Sequence, residues 1–499
     1  MDANELKNCL KIGGEIERVN GKELSYTDFV ERYLAKNQPV VLTGLMDDWK
    51  ACEDWVDDYG KPNLGSFSNQ FGDSQVQIAD CYSMEFTDQR REEMSVSEFI
   101  KYWVALNGDN REVHHNVSPD SCSDKSFLYL KDWHFVKEYP EYKAYETPLF
   151  FNDDWLNLYL DQYRMHDDPD YQERNEICCS DYRFVYMGPK GTWTPLHADV
   201  FRSYSWSANV CGTKLWFFLP PVQRHLVFDR HLKSSVYNIF EDVNHSKFPG
   251  FKKAVWFECT QLKNEIIFVP SGWYHQVHNL EDTISINHNW FNGYNLDWVW
   301  DLLEGDYNEA KELIEDVRDI CDDFESLCQR NLAANTGMNF IDFFTFIVRM
   351  SIANLLHLCN HAEGCKTDYA ALCSWAEHTI SNLMSIRRLA LRMESLCLPE
   401  DRPALLDIQK IWRDPSFVQM YFALNRTFEK LHGQCNHKYE GEDALQNEIK
   451  HHDFIIAAGS VVSNSRSLIS LIDCNLKDYK LLSDKLRVDK LREEILASS

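Results

Sequence analysis

Between residues 182 and 290 the chain is a succession of short apolar runs closed by Gly and Pro, and no other feature restricts its fold as strongly. Arg183-Phe184-Val185-Tyr186-Met187 stops at Gly188-Pro189, Lys214 to Leu219 lies between Gly212 and Pro220-Pro221, and Ile266 to Val269 stops at Pro270. Thr283 to Trp290 largely alternates polar with apolar residues. Such runs favour pleated, half-buried strands and contain few helical periods. Several in succession predict a β-sandwich or barrel.

The flanks have a different texture. Ser25 to Val30 and Ser95 to Ile100 read as helix starts, Pro39 to Leu45 and Phe127 to Leu130 as strands. Beyond about residue 295 Gly and Pro become sparse. Segments 340–358, 376–396, 416–431 and 449–472 carry apolar residues at three- and four-residue spacing, which predicts helices. The expectation is an α+β chain in three parts. Residues 1–140 form an N-terminal α/β region packing on the barrel, 141–300 the barrel itself, and 301–499 a C-terminal helical region.

With 44% hydrophobic residues among 499, the chain can bury sizeable cores. Asp plus Glu number 78 against 51 Lys plus Arg, a net charge of −27. That surface repels nucleic acid and anionic membrane and favours a basic peptide. The 16 cysteines are scattered, with Cys178-Cys179 the one adjacent pair, so reduced thiols in the cytoplasm, and in the nucleus as well, are expected. The N-terminus has no basic stretch leading into an apolar one, and no run of about 18 apolar residues stands out, so neither a signal peptide nor a membrane span is expected.

Within the strand-rich region lie His197-Ala198-Asp199 and, 76 residues later, His275 after Pro270-Ser271-Gly272. Two residues apart on a strand, His197 and Asp199 leave the same face and can reach one ion. Two imidazoles and a carboxylate suit ferrous iron and leave other coordination positions open for oxygen and a cosubstrate. His278 and His288 compete as ligands, although His278, three residues after His275, points to the other strand face.

Thr283, Ser285, Asn287 and Asn289 share one face of their strand, which points either to water or into a polar pocket. Lys214 shares a face with Trp216 and Phe218. It either snorkels at the strand end or neutralises a buried carboxylate. Thr194 could add a hydroxyl to that carboxylate.

Together these segments resemble the jumonji-C family of iron- and 2-oxoglutarate-dependent oxygenases. The resemblance is carried by Thr194 to Asp199, Trp206 to Trp216 and Phe268 to Leu280, and further by Leu128 to His134, Asp154 to Asn157, Asp181 to Tyr186 and Asp282 to Trp290. It implies a double-stranded β-helix, a jelly-roll or cupin-like barrel with flanking helices. It implies Fe(II) on His197, Asp199 and His275, with O2 and 2-oxoglutarate as cosubstrates. The far carboxylate of 2-oxoglutarate would meet Lys214 and Thr194, Tyr129 occupies the place where related hydroxylases carry a cosubstrate-binding Tyr, and Asn287 and Asn289 match pocket positions. Ser207 departs from the pattern, standing where several relatives carry Asn.

The branch that these segments resemble most implies hydroxylation of a lysyl side chain at C4 in a translation termination factor. Demethylation of an arginine or lysine in a histone tail is the alternative, and a non-catalytic cupin-like binding protein a further one. Intact His197, Asp199, His275 and Lys214 argue against the last. Apolar faces of the C-terminal helices serve either a homodimer or packing on the barrel. His357, Cys359, His361 and Cys365 suggest zinc, although Leu355 to Leu358 reads as the end of a helix and Cys is commonly a buried residue.

Overall fold

A computed structural model describes residues 10–109, 126–165, 181–241, 243–364, 369–394, 406–432, 461–477 and 479. Contact density groups the chain into two compact units: Met1–Pro148 with Tyr182–Asn289, and Leu149–Asp181 with Trp290–Ser499. Cys178-Cys179 lies outside the described residues.

Among the described residues, the first unit holds fourteen strands with helices between them. They are β1 (Lys11–Glu15), β2 (Arg18–Asn20), β3 (Val40–Thr43), β4 (Gln75–Glu85), β5 (Asp88–Ser95), β6 (Leu128–Trp133) and β7 (Arg183–Gly188). There follow β8 (Trp193–His197), β9 (Tyr204–Cys211), β10 (Lys214–Leu219), β11 (Val255–Gln261), β12 (Glu265–Val269), β13 (Tyr274–Asn279) and β14 (Thr283–Trp290). One sheet runs β1-β11-β10-β13-β8 and the other β2-β3-β12-β9-β14-β7-β6-β4-β5. From β7 onward the strands are shared evenly between the sheets, four in each, which is the double-stranded β-helix. The N-terminal segment is continuous with this barrel: β1 adds to β11 in parallel, β3 adds to β12, and β6 adds to β7.

Register fixes what faces inward. Lys214, Trp216 and Phe218 of β10 stand opposite Asn279, Val277 and His275 of β13. Cross-strand partners share a face, so these six residues line one wall of the interior. Trp216, Phe218 and Val277 pack there with Val41, Ile267 and Val269 of the other sheet. The outer face of β10 buries Leu215, Phe217 and Leu219 in a second cluster with Val227, Ile239 and Trp256. The helix start read at Ser95 is a capping box for Val96–Asp109: Ser95 Oγ accepts from the Glu98 amide, and the Glu98 carboxylate accepts from the Ser95 amide.

The second unit is helical. Its long elements are Leu296–Leu313, Phe324–Thr336, Phe340–Gly364, Tyr369–Met393 and Pro415–His432. Phe340–Leu358 is in fact long and apolar enough to cross a membrane by length and composition, contrary to the reading that no such run exists. Most of it is buried in this unit, where Phe340 and Phe343 stack against Trp300 and Phe346 meets Tyr159 and Phe291. The helix expected over 449–472 is only partly present. Val461–Val462 instead pairs as a strand with Leu406–Asp407, and the described helix begins at residue 465. Val461 and Val462 are β-branched, which suits a strand better than a helix. Residues 449–460 lie outside the described ones.

His357 packs against Trp375 and Phe428, with Nδ1 toward Asn425 Oδ1. The side chains of Cys359, His361 and Cys365, the other residues of the zinc reading, lie outside those described.

Candidate metal and cosubstrate site

His197 ends β8 and His275 is the second residue of β13, and the two are register partners. Their ring centroids are 4.3 Å apart. Asp199 follows the strand and precedes a short turn, Val200–Arg202. Among the described residues, His197, Asp199 and His275 form a group of ligand atoms all within 4.8 Å of one another.

Each imidazole is oriented from behind. Nδ1 of His197 lies 2.8 Å from the Pro195 carbonyl and Nδ1 of His275 lies 3.1 Å from the Trp273 carbonyl. A carbonyl only accepts, so both Nδ1 atoms carry a proton, and Nε2 is the ring nitrogen left to meet a metal. Burial, with the neighbouring His197, pushes the His275 imidazole down to about 4, which keeps it neutral at physiological pH. Ser205 Oγ donates to Asp199 Oδ2 at 2.8 Å. Gly272, at φ +72, makes the turn into β13, and Asn37 clamps that turn through the Ser271 amide and carbonyl and the Trp273 indole. Rings of Trp216 and Phe218 flank His275 at 5.6 and 5.7 Å.

The competing histidines are engaged elsewhere. His278 stacks on Trp193 and meets Gln276, and His288 packs on Trp206 against the Tyr145 hydroxyl. Strand alternation accounts for both.

Farther along the interior lies a buried amine that has no acidic partner among the described residues. Lys214 is 2% exposed, and its Nζ donates to Ser285 Oγ at 2.7 Å and toward the Tyr129 hydroxyl at 3.5 Å. Burial pushes its amine down to about 7, with the Lys131 ammonium adding to the push. Burial also raises the Tyr129 phenol, which therefore stays protonated. Asn209 Oδ1, Asn279 Oδ1 and Thr283 Oγ1 are buried with no protein hydrogen-bond partner among the described residues. Asn279 is the register partner of Lys214, Asn209 donates to the Gly212 carbonyl, and Thr283 lies two before Ser285. Ser207 Oγ, on the inner face of β9, is likewise buried and unpartnered. Each such group costs about 1–3 kcal/mol when left alone. Of these, the Thr283 and Ser207 hydroxyls can donate to a small anion held by Lys214, whereas the two amide oxygens only accept.

A sequence profile for the cupin-like domain matches residues 26–295. The chain is 57% identical to the arginine-specific demethylase JMJ20 of Arabidopsis thaliana, over 85% of this chain and 89% of that protein. It is 39% identical to the 2-oxoglutarate and iron-dependent oxygenase JMJD4 of Danio rerio, over 72% of this chain and 81% of that protein. Against the human JMJD4 oxygenase the identity is 36%, over 67% and 75%.

The chain belongs to the JmjC family of iron- and 2-oxoglutarate-dependent oxygenases. Iron and 2-oxoglutarate are therefore its cofactor and cosubstrate, and the residues present fit both groups. Two imidazoles, each held at Nδ1 by a backbone carbonyl, beside a carboxylate suit ferrous iron. The buried, uncompensated Lys214 suits the far carboxylate of the cosubstrate.

The remaining residues singled out from sequence are placed as follows. Thr194 is the register partner of Val277, on the face that carries His275. Asn287 Nδ2 donates to Ser285 Oγ at 3.2 Å, and Asn289 Nδ2 to Ser203 Oγ at 3.2 Å. Both faces of β14 are buried, and the hydrogen bond from Lys214 to Ser285 places the polar face toward the wall that carries Lys214. Sequence reasoning missed Ser205, Asn209 and Asn279 and gave Ser285 no role beside Lys214. The signal for the β9 pair was present: Ser205, Ser207 and Asn209 alternate with Tyr204, Trp206 and Ala208, the same parity that marked β14.

Proposed function

We propose that His197, Asp199 and His275 hold the iron and that Lys214, with Tyr129 and Thr194, holds the far carboxylate of 2-oxoglutarate. The single observation behind this reading is that His275, grouped with His197 and Asp199, shares one interior wall with the buried Lys214. The bound iron and cosubstrate supply oxidative decarboxylation to succinate and carbon dioxide, coupled to hydroxylation of a substrate C–H bond.

The protein's own part is positioning and exclusion of water. As the ammonium, Lys214 would keep one N–H on Ser285 and offer another to the carboxylate, and the Tyr129 and Thr194 hydroxyls would donate to the same carboxylate. Asn287 and Asn289 line the pocket wall, and Asn287 steadies Ser285. Trp216 and Phe218 cover His275. Gly188 leaves room for Tyr129, because a Cβ there would stand 2.5 Å from the Tyr129 ring. Gly188→Ala therefore displaces the phenol. KM for 2-oxoglutarate is expected to rise about tenfold, the worth of one hydrogen bond, with kcat retained.

The target assigned here is a lysyl side chain, hydroxylated at C4, in a translation termination factor. The sequence resemblance to the JMJD4 branch supports it, and the net charge of −27 favours a basic substrate. A second reading, arginine demethylation of a histone tail, is favoured by the 57% identity to a protein named as an arginine-specific demethylase. Both begin with the same C–H hydroxylation; on an N-methyl group the product collapses to formaldehyde. Mass spectrometry after incubation with release factor or methylated histone peptide separates them. A stable gain of one oxygen on lysine is expected; formaldehyde with loss of a methyl group from arginine establishes the second reading instead.

A further inference from the structure

The hairpin of β4 and β5 carries an unusual tip. Its strands pair down to Glu85 and Asp88, leaving a two-residue loop, Phe86-Thr87. Phe86 has φ +55, a left-handed conformation that is strained for a bulky side chain and free for glycine. It is also 93% exposed, and Tyr82 and Met84, at the two preceding alternate positions, are 71% and 61% exposed. Tyr82 is held in place by stacking on Phe127 at 5.3 Å. Large apolar side chains grouped on one exposed feature mark an interaction surface, and strain kept at such a place points to use.

The hairpin adjoins the active site. Both of its arms bond to one carbonyl: Cys81 Sγ and Gln89 Nε2 donate to the Trp193 oxygen at 3.6 and 3.0 Å. Trp193 starts β8, the strand of Thr194 and His197. The hairpin is acidic on balance: Glu85, Glu92 and Glu93 are exposed, Arg91 is paired with Asp88 and Asp132, and the exposed Arg90 stands opposite Asp80 in the register.

We infer that this hairpin docks the body of the protein substrate, a basic folded protein whose apolar surface covers Tyr82, Met84 and Phe86 and whose cations face the acidic arms. The inference rests on the reading that the oxygenated group belongs to a protein. Apolar and aromatic contacts supply the affinity, and the acidic arms set orientation and encounter rate.

Phe86→Gly tests it, because this change removes the contact and relieves the strain together. The full-length protein is assayed on intact release factor, with retention on immobilised release factor and immobilised histone measured in parallel. The variant's Tm is expected to rise by about 2 °C, while KM for release factor rises about tenfold and retention falls. Uncoupled consumption of 2-oxoglutarate and its KM stay unchanged. Tyr82→Ser gives the same kinetic pattern without the gain in Tm, and Glu92→Lys with Glu93→Lys weakens retention most at low salt. If the wild type oxygenates neither protein, the functional reading falls. If variants and wild type share KM, or where nothing is oxygenated share retention, the docking surface is overturned.

Discussion

Lys214→Met is expected to stabilise the cosubstrate-free protein and to raise KM for 2-oxoglutarate about 100-fold. The two effects have one cause. The Lys214 amine is buried beside two hydroxyls and lies near 7, against 10.5 for the free side chain. Folding therefore favours its neutral form, and the unfolded chain binds the extra proton. The stability that this group subtracts is largest below pH 7, shrinks as pH rises from about 7, and vanishes above the unfolded value of 10.5. Methionine fills a similar volume with no charge to desolvate, so the variant gains a few kcal/mol at neutral pH. A bound carboxylate reverses the balance by favouring the ammonium. Binding of 2-oxoglutarate should then take up a proton above pH 7 and none well below it. Calorimetry in buffers of different ionisation enthalpy measures this uptake, and it should be missing from the methionine variant. Unchanged KM or unchanged proton uptake in the variant would remove Lys214 from the cosubstrate site.

The second large effect is at the metal. His197→Ala is expected to abolish iron retention and to lower turnover about 10³-fold or more, since the redox chemistry would be supplied by the ion. His197 is the informative ligand to remove because it is half-buried, whereas truncating the buried His275 opens a cavity beside Trp216 and Phe218. Metal content by atomic absorption should fall while Tm changes little. Ser205→Ala should show a milder form, with weaker iron binding on the order of 10-fold, because Asp199 loses the hydroxyl that aims it. A His197 variant that still retains iron and activity would show the assignment to be wrong.

The metal site was legible because its information is local. His197 and Asp199 are two residues apart, and a turn of Pro, Ser and Gly announces His275. The course of β14 was half legible: alternation gave the parity, but both faces are buried, and only the contact with Lys214 tells which one looks into the pocket. The zinc suggestion in the helices could not be judged from spacing, since His357 is occupied by Asn425 and aromatic packing that come from distant segments. The membrane reading missed the length of Phe340–Leu358, whose apolar face is a core face of the helical unit.

Thr194 shows most plainly where sequence ends. It lies three residues before His197, and strict alternation would turn it to the other side of the strand. In the structure, β8 carries one extra residue between them relative to β13, because His197 pairs with His275 and Thr194 with Val277. This bulge restores Thr194 to the ligand face. Sequence alone determined the residue types, the strand-rich barrel and the chemistry that two imidazoles and a carboxylate can support. Tertiary structure decided register, and register decides which side chains share an interior, since a shift of one residue exchanges the two faces of a strand.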